Sequence, residues 1–203
     1  MSKTNYYRAL AQARLAYNSG HDSVTPEAKA FMEETFGKKA LIEPLSIKDK
    51  VTTFEDACKL LNLPETDNRL QLIASDLTDK RMKAGLQLEI IIEAINEGWK
   101  YTPLCGKVAW WPFHFIYSKQ EIENMSEDLR KRRIQMYFDN YDDLQPEEVA
   151  GLGYARSHYA WSRSDSIIGS RLALKSEDLA VYVGRMFPEL YYHSAFNILQ
   201  ICD

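Results

Sequence analysis

The sequence predicts an α+β fold: a small antiparallel sheet of about three strands packed against several helices, with a helical hairpin at the N-terminus. Helical periodicity is strongest at residues 78–97, where apolar side chains recur on one stripe. Aromatic and β-branched residues concentrate at residues 107–117, and further strands are predicted at 151–161 and 167–174. A short polar turn at residues 162–166 separates the last two strands, which predicts that they pair antiparallel.

Composition and charge restrict the classes of function. The 203-residue chain has a net charge of −4, whereas proteins that bind nucleic acid by bulk attraction are usually basic. Its three cysteines, Cys58, Cys105 and Cys202, include no pair at metal or redox spacing, which indicates reduced thiols. The first residues lack the apolar segment of a signal peptide, and no apolar run approaches the ~20 residues of a membrane span. We therefore expect a cytoplasmic protein without a membrane partner.

The sequence predicts that residues 1–40 form an N-terminal helical appendage and that residues 41–203 form an α+β domain. The second helix of this appendage is well marked, because Thr25 is a good N-cap, Pro26 suits the first turn and Gly37 follows the last apolar position. A hairpin with one apolar side is typical of an element that docks on the main body or on another chain. The same pattern is equally compatible with two more helices of a single domain.

Apolar spacing and capping residues predict the other helices. They are expected at residues 5–18, 53–61, 78–97 and 118–133, and from Ser176 onwards with an interruption at Pro188. Thr53 and Asp56 have the spacing of a capping box. Ile90 lies off the apolar stripe of the helix at 78–97, so this helix is expected to be buried on two sides, at the centre of the core. Between the helices we expect an extended segment at residues 40–50, an aromatic and acidic connection at 136–144 and a short helical turn at 145–149.

The strand at residues 107–117 contains Pro112, which has no N–H group to donate to a sheet. Proline is found on edge strands or at bulges for this reason. The sequence therefore predicts that this strand lies at an edge of the sheet or contains a bulge.

Four segments carry a family resemblance. They are TFEDACKLL at residues 53–61, IEAINEGW at 92–99, WWPF at 110–113 and GSRLALKSEDLA at 169–180. In this order they resemble a family of small proteins without an assigned activity from gut bacterial genomes, their prophages and related phages, over residues 51–192. The first 40 residues look like an addition to the family pattern, and the charged helix at 118–133 looks like an insertion. The resemblance implies a phage or mobile-element context, in a host cell or a virion, and no mechanism.

The sequence contains no complete set of residues for catalysis or metal binding. The four histidines, His21, His114, His158 and His193, are widely separated, and no motif of a serine nucleophile or a phosphate-binding loop occurs. We therefore predict no catalytic residues, no metal and no cofactor, while noting that enzymes bring distant residues together in space.

Aromatic and basic residues are dense in the C-terminal half. The candidate ligand-binding residues are Trp110, Arg156, Trp161, Arg163, Arg171 and Lys175. Aromatic faces stack on bases and guanidinium groups hold phosphates, so this set is compatible with a nucleotide site. The competing interpretation is that the tryptophans build the core of a small sheet and the arginines cover them. The basic run at residues 130–133 is interpreted as a solvated helix end, because acidic residues share its helix.

Two functions follow from these patterns. The first is a non-catalytic protein of a phage or mobile element, either a virion component or an accessory factor acting on the host, which works through contacts with a protein partner or with itself. Its contact residues are expected in the N-terminal hairpin, at Tyr6, Leu10, Phe31 and Phe36. The second is a protein that binds or sequesters a small molecule such as a nucleotide, which requires Arg156, Trp161 and Arg171 to share one exposed pocket.

Overall fold

A computed structural model describes residues 3–19, 24–102, 108–138, 141–160 and 170–195 of the chain. Within these residues the protein has eleven helices and one three-stranded antiparallel sheet, which confirms the predicted α+β class and the predicted helices at the N-terminus. No helix in these ranges is long and apolar enough to cross a membrane.

Seven helices precede the sheet. They are α1 (Lys3–Asn18), α2 (Pro26–Phe36), α3 (Lys38–Ile42), α4 (Ile47–Lys50), α5 (Phe54–Leu60), α6 (Asn68–Ala74) and α7 (Lys80–Asn96). Two short helices, α8 (Lys119–Glu123) and α9 (Glu127–Arg133), lie between strands, and α10 (Glu177–Met186) and α11 (Pro188–Ala195) follow the sheet.

Local capping fixes the starts of α2, α5 and α10 where the sequence predicts them, whereas α3, α4 and α9 begin at residues for which no helix start was predicted. The Thr25 hydroxyl accepts a hydrogen bond from the Ala28 N–H at the start of α2, and Gly37 ends that helix with a φ of 80° that favours glycine. Thr53 and Asp56 form the predicted capping box of α5. Ser176 caps α10, whose first turn carries two acidic residues.

Three predictions of local structure are wrong. The segment at residues 40–50 is not extended, since α3 and α4 occupy most of it and Ser46 with Asp49 forms a capping box. The charged segment at 118–133 divides into α8 and α9, because Ser126 caps a second helix. Residues 145–149 form a turn that leads into a strand and contain no helix.

The sheet has the order β1-β3-β2, with β1 at Ala109–Ser118, β2 at Ile134–Tyr137 and β3 at Val149–Ala160. The edge position predicted for β1 is confirmed, and a register shift follows at Phe113 and His114. The N–H and C=O groups of Trp110 bond to Leu174 on the side of β1 away from β3. Pro112, two residues on, thus places its missing N–H toward the free edge, where no sheet bond is lost.

The second partner of β3 in the sheet is not the predicted strand at residues 167–174. Residues 170–172 form a 3-10 turn, and Leu174 makes only an isolated bridge to Trp110, so these residues do not form the predicted partner strand of β3. Residues 161–169, which include the predicted turn, lie outside the described ranges. The strand that pairs with β3 on its other side is β2, at the start of the segment expected to be a connection.

Helix α7 is the centre of the core, as predicted. Its stripe residues Ala84, Leu88, Ile91, Ile92 and Ile95 are buried, and so is Ile90 on the other side of the helix. This helix packs against α5, α6 and α11, and the same core includes residues of α10. Burying each large aliphatic side chain stabilises the fold by about 1.5–3 kcal/mol relative to exposure, so the five buried leucine and isoleucine side chains of α7 contribute strongly to stability.

A buried ion pair docks α1 on the rest of the protein. The guanidinium of Arg14 lies 2.6 Å from the Asp49 carboxylate, with the two side chains only 12% and 6% exposed. The same guanidinium donates to the carbonyls of Glu43 and Pro44. Asp49 also accepts from the backbone and hydroxyl of Ser46. Helix α1 is therefore an integral neighbour of α3 and α4.

Candidate functional site

An open groove of about 540 Å³ lies at the C-terminal end of α7. Its walls come from three parts of the chain: α6 and α7, the segment that leaves α7, and the 3-10 turn after β3. The lining residues are Arg69, Glu89, Ile92, Glu93, Asn96, Gly98, Trp99, Lys100, Tyr101, Arg171 and Ala173. A volume of this size is in the range of small-molecule sites.

The aromatic wall of the groove is formed by Trp99 and Tyr101, whose ring centroids are 6.3 Å apart. Tyr101 also makes an edge contact with the buried Trp111 of β1, at 5.9 Å between centroids. Ala173 packs in the same small cluster. The aromatic wall is thus supported from behind by the sheet and keeps part of its surface toward the groove.

The charged residues of the groove differ in how firmly they are held. Arg69 is fixed between Asp67, at 3.2 Å, and Glu93, at 2.6 Å. Hydrogen bonds to these carboxylates raise the pKa of Arg69 above its usual range, and those from Arg69 lower the pKa of Asp67. Arg171, in contrast, is 78% exposed, and its closest contact with Glu89 is through Nη1 at 3.1 Å.

The two sides of the groove are tied together by Asn96. Its buried side-chain amide donates to the Ala173 carbonyl at 2.7 Å, and its side-chain oxygen accepts from the Lys175 N–H at 3.1 Å. An ion pair of 2.6 Å between Lys175 and Glu97 adds to this link. These contacts hold the residues after β3 against the end of α7 and fix the distance between the groove walls.

The predicted ligand-binding residues lie in different places. Arg171 lines the groove, Lys175 lies beside it, and Trp110 packs against the main core. The backbone of Arg156 pairs with Phe113 in the sheet. Trp161 and Arg163 fall outside the described residues.

The predicted protein-interaction residues are all on α1 and α2. Phe31 is 67% exposed and Tyr6 is 40% exposed, whereas Leu10 and Phe36 are half-buried. The ring of Tyr6 contacts those of Tyr7 and Phe36, with centroids 5.9 and 5.8 Å apart. Phe31 makes no ring contact with this cluster and, five residues before Phe36, points to a different side of α2. We use the name N-terminal aromatic surface for the four side chains Tyr6, Tyr7, Phe31 and Phe36 on α1 and α2.

Helix α2 contributes little to the core, since none of its eleven residues is buried, and the shorter α6 and α9 share this property. Helices of this length are marginal in isolation and usually depend on a buried face. In α2 the N-cap, the proline in the first turn and the C-terminal glycine support the helix locally. The exposed side of α2, centred on Phe31, is therefore available for contact with another molecule.

A second exposed aromatic pair lies on the edge strand. Phe113 and Phe115 are 45% and 50% exposed and pack edge to face, with centroids 5.9 Å apart. Their neighbours Pro112 and His114 are buried on the opposite face of β1, which packs toward α10. The His114 Nε2–H donates to the Gly184 carbonyl of α10 at 3.0 Å, and burial lowers the pKa of this imidazole.

The described residues contain no cluster of three or more histidine, cysteine, aspartate or glutamate side chains that could hold a metal ion. Cys58 is half-buried, and burial raises the pKa of its thiol, which opposes a role as a nucleophile. Cys105 and Cys202 lie outside the described residues.

Sequence reasoning missed the groove residues Arg69, Trp99, Lys100 and Tyr101. Trp99 and Tyr101 lie within four residues of Glu97, the C-cap of α7, and so resemble ordinary loop residues. Arg69 lies two residues after the N-cap Asp67 and resembles an ordinary helix-start residue. The signal that could have identified them is the aromatic and basic composition of the segment after Gly98, directly after the predicted end of the helix.

Comparisons with protein-family models, with curated proteins and with solved structures found no match. The function of this protein therefore has to be inferred from its own residues and their geometry.

Proposed function

We propose that this protein is a non-catalytic component of a phage or mobile element that acts through protein–protein contacts made by its N-terminal aromatic surface. The observation that carries the proposal is that α2 has no buried residue while Phe31 is 67% exposed. Aromatic residues are enriched at protein interfaces, because they bury a large apolar area at a low entropic cost. The phage or mobile-element setting is supported by the family resemblance alone.

The way α1 is docked supports a role for α2 in binding. The Arg14–Asp49 pair and the buried Ala11 and Ala13 hold α1 on the body of the protein. Helix α2 therefore packs beside a helix that is itself fixed. Tyr17 donates a hydrogen bond to Glu33, which connects the two helices. A binding helix held in place in this way loses little conformational entropy when a partner docks.

Substitution of Phe31 tests this function better than deletion of residues 1–40. Deletion would remove Arg14 and leave the buried Asp49 without its cation, so loss of binding would not be separable from loss of stability. The variant Phe31→Ser changes an exposed side chain and is expected to leave the melting temperature unchanged within about 1 °C. The matched control is Leu77→Ser, since Leu77 is 98% exposed at a site between α6 and α7.

The measurement is native mass spectrometry of tagged protein produced in a host cell that carries the element. We expect the wild-type chain and Leu77→Ser to retain a defined complex, with another copy or with another protein, and Phe31→Ser to lose at least 90% of it. A wild-type chain that remains monomeric and captures nothing, or a Phe31→Ser complex of undiminished yield, would show that the proposal is wrong. Presence of the chain in purified particles would identify a virion component, and a complex with a host protein an accessory factor.

A further inference from the structure

We infer that the groove at the end of α7 binds a planar aromatic anion, a ring system that carries a phosphate or a carboxylate. The inference is independent of the proposed protein contacts, because the groove shares no residue with the N-terminal aromatic surface. It assigns the ring of the ligand to the wall formed by Trp99 and Tyr101 and its negative charge to Arg171 and Lys100.

The preference for an anion follows from which charges are already satisfied. Glu93 is paired with Arg69, and Arg69 is shared with Asp67, so these three groups form a closed set on one wall. Glu89 is paired with Arg171. Lys100 is exposed and forms no ion pair with the described residues. A ligand that enters the groove therefore meets satisfied carboxylates and incompletely used cations.

Arg171 can bind a ligand without giving up Glu89. A guanidinium has five N–H donors in a planar fork, and its closest contact with Glu89 is at Nη1. No hydrogen bond joins Nη2 or Nε to the described residues. Nη2 and Nε remain for a second acceptor, and two parallel hydrogen bonds from one guanidinium are the usual geometry for phosphate and carboxylate. The Glu89 contact holds the long side chain at the rim of the groove and so reduces the entropy lost on binding.

The ring preference follows from the opposite wall. Trp99 and Tyr101 are half-buried and keep apolar surface toward the groove, and Tyr101 is held by its edge contact with Trp111. The buried Ile92 and Ala173 lie behind the groove surface. A flat ring system can stack on such a surface, whereas a sugar phosphate or an inorganic anion leaves it empty. The bridge made by Asn96 keeps both walls in place before the ligand arrives.

The test uses adenosine 5′-monophosphate and 1-naphthoate as the phosphate and carboxylate probes, titrated into the full chain by calorimetry with tryptophan fluorescence as a second readout. Adenosine lacks the anion and ribose 5-phosphate lacks the ring, so each controls for one half of the ligand. We expect at least one of the two probes to bind with a Kd below about 1 mM. Adenosine, ribose 5-phosphate and inorganic phosphate should bind at least tenfold more weakly than that probe.

Arg171→Gln is expected to weaken that binding at least tenfold and Tyr101→Leu about fivefold, because they remove the anion contact and part of the stacking surface. Arg132→Gln, a charge change of the same kind on the exposed α9, should leave the Kd unchanged. Because Arg171 is exposed, its substitution should not alter folding, and an unchanged melting temperature checks this. The inference is overturned if neither probe binds with a Kd below about 1 mM, if the control compounds bind equally well, or if Arg171→Gln has no effect.

Discussion

Removal of the Arg14 side chain gives the sharpest test of how the N-terminal helices are attached. In Arg14→Ala the Asp49 carboxylate, only 6% exposed, loses its 2.6 Å ion pair and retains the two hydrogen bonds from Ser46. Breaking a buried pair by removing one partner costs about 3–5 kcal/mol, because a buried charge is left uncompensated. With a urea dependence of about 3 kcal/mol per M for a chain of this size, the unfolding midpoint should fall by about 1–2 M.

The assay is urea unfolding followed by circular dichroism, with Lys131→Ala as the matched control. Lys131 pairs with Glu127 one helical turn away, and both side chains are largely exposed, so its loss should cost about 0.5 kcal/mol or less. The double variant Arg14→Met, Asp49→Asn should lose less stability than Arg14→Ala, since it leaves no unpaired buried charge. A midpoint for Arg14→Ala within 0.3 M of the wild type would refute the reasoning.

Two further predictions concern the sheet. A Cβ at Gly153 would lie 2.5 Å from the carbonyl oxygen of Arg133, so Gly153→Ala should cost about 1–3 kcal/mol or more. Gly85→Ala, in open space on α7, should be neutral or stabilise by up to about 1 kcal/mol, and thermal unfolding of the two variants side by side distinguishes them. Burial lowers the pKa of His114, so the unfolded chain binds this proton more readily and the unfolding free energy should fall as the pH drops below about 6.5. In His114→Phe the unfolding free energy should fall less steeply with decreasing pH, by up to about 1.4 kcal/mol per pH unit. Urea midpoints at pH 5 and 7 measure this difference, and an equal pH dependence in both proteins would contradict the assignment.

Helix starts and the main buried helix were predictable because their chemistry is local. The capping box of Thr53 and Asp56, the N-cap of Ser176 and the glycine after α2 each act over three or four residues. The apolar stripe of α7 repeats over several turns, so its burial follows from helical geometry whichever elements cover it. Pro112, through the N–H that it lacks, restricted β1 to an edge position or a bulge, and the sheet order decides for the edge.

Strand pairing was not predictable in the same way. Strand β2 has only four residues and directly follows a charged helix, so its sequence carries no clear strand pattern. It forms a strand because it pairs with β3. Close packing also depends on Gly153, where the central strand and the backbone of Arg133 approach too closely for any side chain. Residues 170–174 have the composition of a strand, yet residues 170–172 form a 3-10 turn. The backbone groups of Ala173, Leu174 and Lys175 bond to Asn96 and Trp110 and not to β3.

The sequence by itself thus determined the fold class, the starts of several helices and the central helix, and it placed aromatic residues in the N-terminal helices. Only the tertiary structure decided which of those aromatic residues are exposed, and it alone assembled the groove. Arg69, Trp99 and Arg171 come from distant parts of the chain, and their spacing along it carries no periodic or local signal. They meet because α7 is buried along its length and Asn96, near its end, holds the residues after β3 in place.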